Sequence, residues 1–271
     1  MGVTDHKPEL DALYDRYNRR EFVHPDPLEF LYLYADASDR EVVGLAASVL
    51  AYGRVASILV SVQKVLDRLG PSPARRVDQA SFPELAAELN GFRHRFASGE
   101  QVAALLAAAG RVRGRHGSLD ACFAAHLDGA DTVEPALPGF CAELIDAADR
   151  PLGHLLPLPS RGSACKRLNL FLRWMVRSDA VDPGGWRCAP PSALLVPLDV
   201  HMHRVGLELG LTARRQADLR AALEITAAFR RIEPADPVRY DFALTRLGIR
   251  RGGDLGEFLD RLRGRKVAGN G

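Results

Sequence analysis

Apolar residues in this 271-residue chain recur three and four positions apart from Pro8 to Leu247, and no stretch alternates as a paired strand would. That periodicity rules out a sheet and leaves helix packed on helix as the way to bury a core. The expected fold class is therefore all-α, with about a dozen helices. A chain of this length that is 47% hydrophobic has enough apolar surface for a full core.

The expected helices follow from start and stop signals. Pro8 to Arg20 reads as a first amphipathic helix and Pro27 to Ala35 as a second. Ser38 and Glu41 have the spacing of a capping box, in which the serine oxygen takes an N3 amide and the glutamate reaches back. Ser81 with Glu84 and Ser98 with Gln101 repeat it. A helix from Arg54 to Leu69 should stop at Gly70-Pro71. Ser118 caps another, the Asp128-Gly129 turn follows, and a helix runs from Leu137 to Asp149. Gln216 to Ile232 is a helix, and Asp236-Pro237 caps a last one, through Tyr240 and Leu247, that Gly248 ends. The tail beyond Val267 is expected to fray.

The net charge is only +2, so bulk electrostatics does not call for a polyanionic partner. The charge is unevenly spread, however. Between Pro151 and Arg177 there is no acidic residue, while Arg161, Lys166, Arg167, Arg173 and Arg177 all fall there. Smaller basic clusters lie at Arg93–Arg95, Arg111–Arg115 and Arg261–Lys266. Such a stripe fits an anion-binding cleft, and a solvated helix face would have the same pattern. The four cysteines lack metal or iron–sulfur spacing, and no apolar run is long enough to span a membrane. The expectation is a cytoplasmic protein without cofactor or metal.

The stretch from Ser160 to Leu211 holds the candidate chemistry. Ser160-Arg-Gly-Ser163 is a tight turn whose backbone N–H groups would face a phosphate at a helix N-terminus. In the helix that follows, Lys166, Asn169, Arg173 and Arg177 share one face, and Leu168, Phe171, Leu172 and Met175 the opposite, buried one. Near the positive end of a helix dipole and beside Arg167, the Lys166 ammonium is disfavoured, which suits a nucleophilic amine. A plain surface lysine would read the same way. Asp199, after Pro197-Leu198, is placed to cap the next helix, and the dipole there keeps its carboxylate ionised. A simple cap is the alternative. His201 and His203 suggest a metal site with Asp199, but residues two apart on a helix diverge by about 200°. Trp186, in the loop after Asp182-Pro-Gly-Gly185, is either a hydrophobic plug or a platform on which a base stacks.

The run VPLDVHMHRVGLELGL resembles the Asp-containing helix of the endonuclease III branch of the helix-hairpin-helix DNA glycosylases, through Leu198, Asp199, Val200, His201, Arg204, Val205 and Leu209-Gly210-Leu211. The turn before Lys166 is similar to that superfamily's hairpin and Schiff-base lysine. LAASVLAYGRV resembles its helix ending in a DNA-contacting Gln motif, and PADPVRYDFALTRLG its C-terminal helix. CKRLNLFLRWMVRSDAVDPGGW with PLDVH resembles, more closely still, a bacterial family in the superfamily with no assigned activity. Three features differ. Ser160–Ser163 replaces the Gly-Val-Gly hairpin, the iron–sulfur cysteines are absent, and the Lys166-to-Asp199 gap is 199 − 166 = 33 residues. That longer gap is similar to the archaeal 8-oxoguanine glycosylase branch.

The resemblance implies one domain over 1–271, with a helix-hairpin-helix motif and a cleft between two helical lobes. One lobe covers roughly 37–197, and the other roughly 1–36 with 198–271. It implies a monomeric base-excision DNA glycosylase with abasic-site lyase activity, probing double-stranded DNA for an oxidised base such as 8-oxoguanine. Lys166 would be the Schiff-base nucleophile and Asp199 the carboxylate that stabilises charge at C1′. Ser160, Arg161, Gly162, Ser163, Arg167, Arg173 and Arg177 would hold phosphates, Arg54 would probe the gap, and Trp186 and His201 would line the base pocket. The rival expectations are a DNA-binding module of the same fold without chemistry, and a metal-dependent hydrolase using Asp199, His201 and His203.

Overall fold

A computed structural model describes residues 6–249 and 255–262. Helices dominate: α1 Lys7–Tyr17, α2 Ala37–Val49, α3 Val55–Leu69, α4 Pro73–Gln79, α5 Phe82–Glu88, α6 Gly99–His116, α7 Leu119–Ala124 and α8 Ala136–Asp146. After a long irregular stretch come α9 Lys166–Val176, α10 Val200–Glu208, α11 Leu219–Ile232, α12 Asp241–Ile249 and α13 Leu255–Leu262. Among the described residues the only sheet is a two-residue hairpin, β1 Arg93–His94 with β2 Ala97–Ser98. None of the described helices is long and apolar enough to cross a membrane.

Local signals placed most boundaries. Ser98 and Gln101 form the expected capping box at the start of α6, Ser118 caps α7, and Gly70, at φ +71°, ends α3. Three expectations fail for physical reasons. Pro27 to Leu33 is a 3₁₀ helix rather than an α-helix. The Ser38–Glu41 box does not form, because Asp36 already caps α2 through the Ser38 amide. Glu41 instead turns inward, where Arg113, the Leu119 amide and Trp186 Nε1 all donate to its carboxylate. Asp236 does not cap the last expected helix. Its carboxylate binds Arg177, α12 begins five residues later, and its helix continues through Gly248. Residues 263–271, with the Lys266 end of the last basic cluster and the tail beyond Val267, and the Arg261 side chain, lie outside the described residues.

One hydrophobic core runs through the described chain, with α2 near its centre against α9, α4 and α6, and α6 also packed on α4 and α5. Close approach at α6 depends on missing side chains. A Cβ on Gly99 would lie 1.9 Å from the Leu89 carbonyl oxygen, and one on Gly110 2.0 Å from that of Val77. These are backbone atoms, so no rotamer change could make room.

Candidate active site

Lys166 is the first residue of α9, and Asp199 is the N-cap of α10. Two amides, from His201 and Met202, donate to Asp199 Oδ1 at 2.9 Å each, which turns Oδ2 towards α9. There Lys166 Nζ lies 3.2 Å away. Their side chains are 35% and 23% exposed, so the pair is shielded but reachable. Burial works to raise the Asp199 carboxyl, but the Lys166 ammonium and the Met202 amide outweigh it and hold the group below the usual carboxylate range.

The pair lies in the wall of a cavity of about 260 Å³. One face of α9 contributes Lys166, Leu170, Arg173 and Trp174, at the four-three-one spacing of a helical stripe. The α2–α3 connection contributes Tyr52 and Gly53, and the chain around Pro27 closes one side. His201 and, from α12, Asp241 and Phe242 complete the opposite wall. Elements from the beginning, middle and end of the chain thus meet at Lys166.

Arg167 points away from solvent. It donates to the carbonyls of Val49, at 2.6 Å, and His154, and its guanidinium lies 5.1 Å from the centre of the Tyr52 ring. Arg173 bridges Asp182 and Asp241, and Arg177 binds Asp179, Asp182 and Asp236. All three were expected to hold phosphates, and none is placed to do so, because each satisfies acceptors inside the protein. The cationic stripe of α9 is thus matched by aspartates more than five residues away in sequence or folded in from the following loop. Trp186 is 5% exposed, packs against Phe171 and Phe123 and donates to Glu41, so it is a plug in the core and not part of the cavity.

Other expected residues divide similarly. His201 does line the cavity, whereas His203 is buried and bonds the Arg214 carbonyl at 2.8 Å. Arg54 is exposed, just outside α3 and next to Gly53 of the cavity rim. Ser160, Gly162 and Ser163 form a turn in which the Gly162 amide bonds the Pro159 carbonyl and the Gly162 carbonyl accepts from Leu219. Ser163 forms a bridge with Asp218 at the head of α11. The Arg161 side chain lies outside the described residues. No α-helix directly precedes this turn, since α8 ends at Asp146. Residues missed from sequence are Tyr52, Trp174 and Asp241. Asp241 had one available signal, its place at the head of a helix, and that was assigned to Asp236.

A second surface adjoins the cavity. The tip of the β1–β2 hairpin, Arg95-Phe96, leans on the Tyr52-Gly53 segment: a Cβ on Gly53 would lie 2.9 Å from Arg95 Cδ. Phe96 is 73% exposed, with exposed Arg93, Arg95 and Arg54 around it. The hairpin is tied to the rim through His94, which bonds Ser61 and the Tyr52 carbonyl, and through the Tyr52 hydroxyl, which donates to the His94 carbonyl.

Comparison with curated proteins and with solved structures finds no match. Residues 26–250 match the profile described as a protein of unknown function, DUF2400, a span that holds every described wall of the cavity except Pro25. The chain belongs to the DUF2400 family.

Proposed function

We propose that the protein is a helix-hairpin-helix-type DNA glycosylase with abasic-site lyase activity, acting on an oxidised base such as 8-oxoguanine. The observation that carries this reading is the 3.2 Å contact of Lys166 with Asp199 inside a ring-sized cavity. Residues 33 positions apart, singled out separately as nucleophile and carboxylate, meet at one point.

In this reading a damaged nucleotide leaves the duplex and its base enters the cavity. Asp199, held in the ionised range by the Lys166 ammonium and the Met202 amide, faces the positive charge that develops at C1′ as the base departs. Lys166 attacks C1′, and the resulting Schiff base is the species from which the strand is cut. A volume of about 260 Å³ is slightly under the roughly 300 Å³ at which drug-sized sites begin, which suits a single ring system. Outside, Arg54, Arg93, Arg95 and Phe96 offer cations and an aromatic face, the combination that grips a nucleic-acid backbone and unstacked bases.

The test is borohydride trapping on duplexes carrying 8-oxoguanine, an oxidised pyrimidine, uracil or an abasic site. The expected result is a covalent adduct that forms in the presence of EDTA and disappears in Lys166→Gln. Absence of an adduct on every duplex, the abasic one included, would remove the lyase assignment. Tight DNA binding without an adduct would identify a binding module.

A further inference from the structure

We propose that Asp241 is the proton acceptor for Lys166, a role separate from that of Asp199; this rests on the reading of Lys166 as the nucleophile. An ammonium has no lone pair, so the amine must lose a proton before it can attack. Asp199 is poorly suited to take that proton. Its Oδ1 is saturated by two amides, and its function at C1′ needs it charged.

Asp26 and Asp241 are the other carboxylates lining the same cavity, and Asp26 is taken up by Arg246 and the Leu28 amide, which leaves Asp241. It opens α12, is 5% exposed, and receives a bond from Arg173, which lies two turns along α9 from Lys166 on the same face. Arg173 also serves Asp182, so its charge is divided between two buried carboxylates. The charged groups around Asp241 come from every neighbouring element. Arg173 and Lys166 face it from α9, and Asp199 and His201 from the head of α10. Its own helix adds Arg246, paired with Asp26, while from α1 the side chains of Asp11 and Lys7 engage the adjoining Tyr240 hydroxyl. Burial pushes the Asp241 carboxyl up to about 6 against the pull of Arg173, and the neighbouring Asp199 charge adds to the rise. Two carboxylates whose surroundings separate them in this way divide naturally into a permanent anion and a proton carrier.

The step balances within the site. Among the described residues the ion pair of Lys166 Nζ is with Asp199, so its proton passes to the Asp241 carboxylate through one water in the shared cavity. The freed lone pair forms the bond to C1′ while the C1′–nitrogen bond to the base breaks and its electron pair leaves with the base. The base then takes the proton from the Asp241 carboxylic acid, and the carboxylate is restored.

The experiment follows the single-turnover rate of borohydride-trapped adduct on an abasic-site duplex from about pH 5 to about pH 8, a range that spans the titration. For the wild type, the rate should climb with pH and bend to a plateau near the Asp241 titration at about 6. Asp241→Asn should lose the bend, rise steadily with pH, and run at least about tenfold slower near neutrality, the low end for proton-transfer catalysis. Asp241→Glu should keep a bend at a displaced pH. A purely structural Asp241 would lower the amount of active protein without moving the bend. An unchanged bend in Asp241→Asn, or, if that variant does not fold, an unmoved bend in Asp241→Glu, overturns the assignment; so does a wild-type rate without a bend. Failure of the wild type to form any adduct at any pH removes the Lys166 reading itself, and this inference with it.

Discussion

Asp199 performs two tasks with one carboxylate, and its two oxygens separate them. Oδ1 caps α10 and Oδ2 meets Lys166. Asparagine caps a helix about as well as aspartate, so Asp199→Asn should cost under about 1 kcal/mol of cap energy. Under the proposed lyase activity, loss of the charge should nevertheless slow adduct formation by about 100-fold or more, the scale of removing an electrostatic stabiliser of the transition state. Comparison of thermal unfolding with single-turnover rate separates the two tasks. The pH dependence follows from the lowered carboxyl. The unfolded chain binds more protons than the folded one in the acid range, so this contribution to stability is complete above the unfolded pKa and fades as pH falls through the folded one. The stability gap between wild type and Asp199→Asn should therefore shrink below about pH 4, the ordinary aspartate range, as followed by denaturant titration. At this scale the sequence was informative about Lys166, Asp199 and His201, because a helix start leaves a local mark. Trp174 had no such mark, and that of Asp241 was overridden by Asp236-Pro237 just before it, since the meaning of both comes from what folds opposite them.

Helix α9 was legible as an amphipathic element, but the destination of its charged face was not. Arginines on a helix look alike in sequence whether they face solvent or buried aspartates, and Asp236 and Asp241 lie 59 and 68 residues further along the chain from Arg177 and Arg173. The consequence is measurable. Arg173→Met leaves Asp182 and Asp241 short of a counter-charge in the interior and should destabilise by about 3–5 kcal/mol, the usual cost of breaking a buried pair. Arg54→Ala, at an exposed site, should change stability by less than about 0.5 kcal/mol. Chemical denaturation of the two variants decides it. The α6 contacts give a second check. Gly110→Ala pushes a methyl into the Val77 carbonyl and should cost about 3 kcal/mol or more, whereas Gly114→Ala, with open space around it, should be neutral or slightly stabilising.

At the scale of the molecule, the all-α class and most helix positions followed from periodicity and caps. The surface that adjoins the site did not, because Arg95-Phe96 belongs to a hairpin too short to show a strand pattern. If this rim meets DNA, Phe96→Ala should weaken binding to a lesion duplex by about 1–3 kcal/mol, the range for losing one aromatic stacking contact, with little change in unfolding temperature. Arg95→Ala should instead reduce the salt dependence of binding by about one unit of slope, as loss of one phosphate contact does. Fluorescence anisotropy at several salt concentrations distinguishes them. The charge-paired α9 has one more consequence, in the rates at which backbone amides open. Its distal half is held by Arg173 and Arg177 in the interior, while its first turn starts abruptly at Cys165 without a side-chain cap. Amide hydrogens from Phe171 to Val176 should therefore exchange with deuterium only on global unfolding, and those at the Lys166 end orders of magnitude sooner. The proposed nucleophile would then follow C1′ with its long side chain and the uncapped first amides alone, because Arg167 ties the same turn to the carbonyls of Val49 and His154.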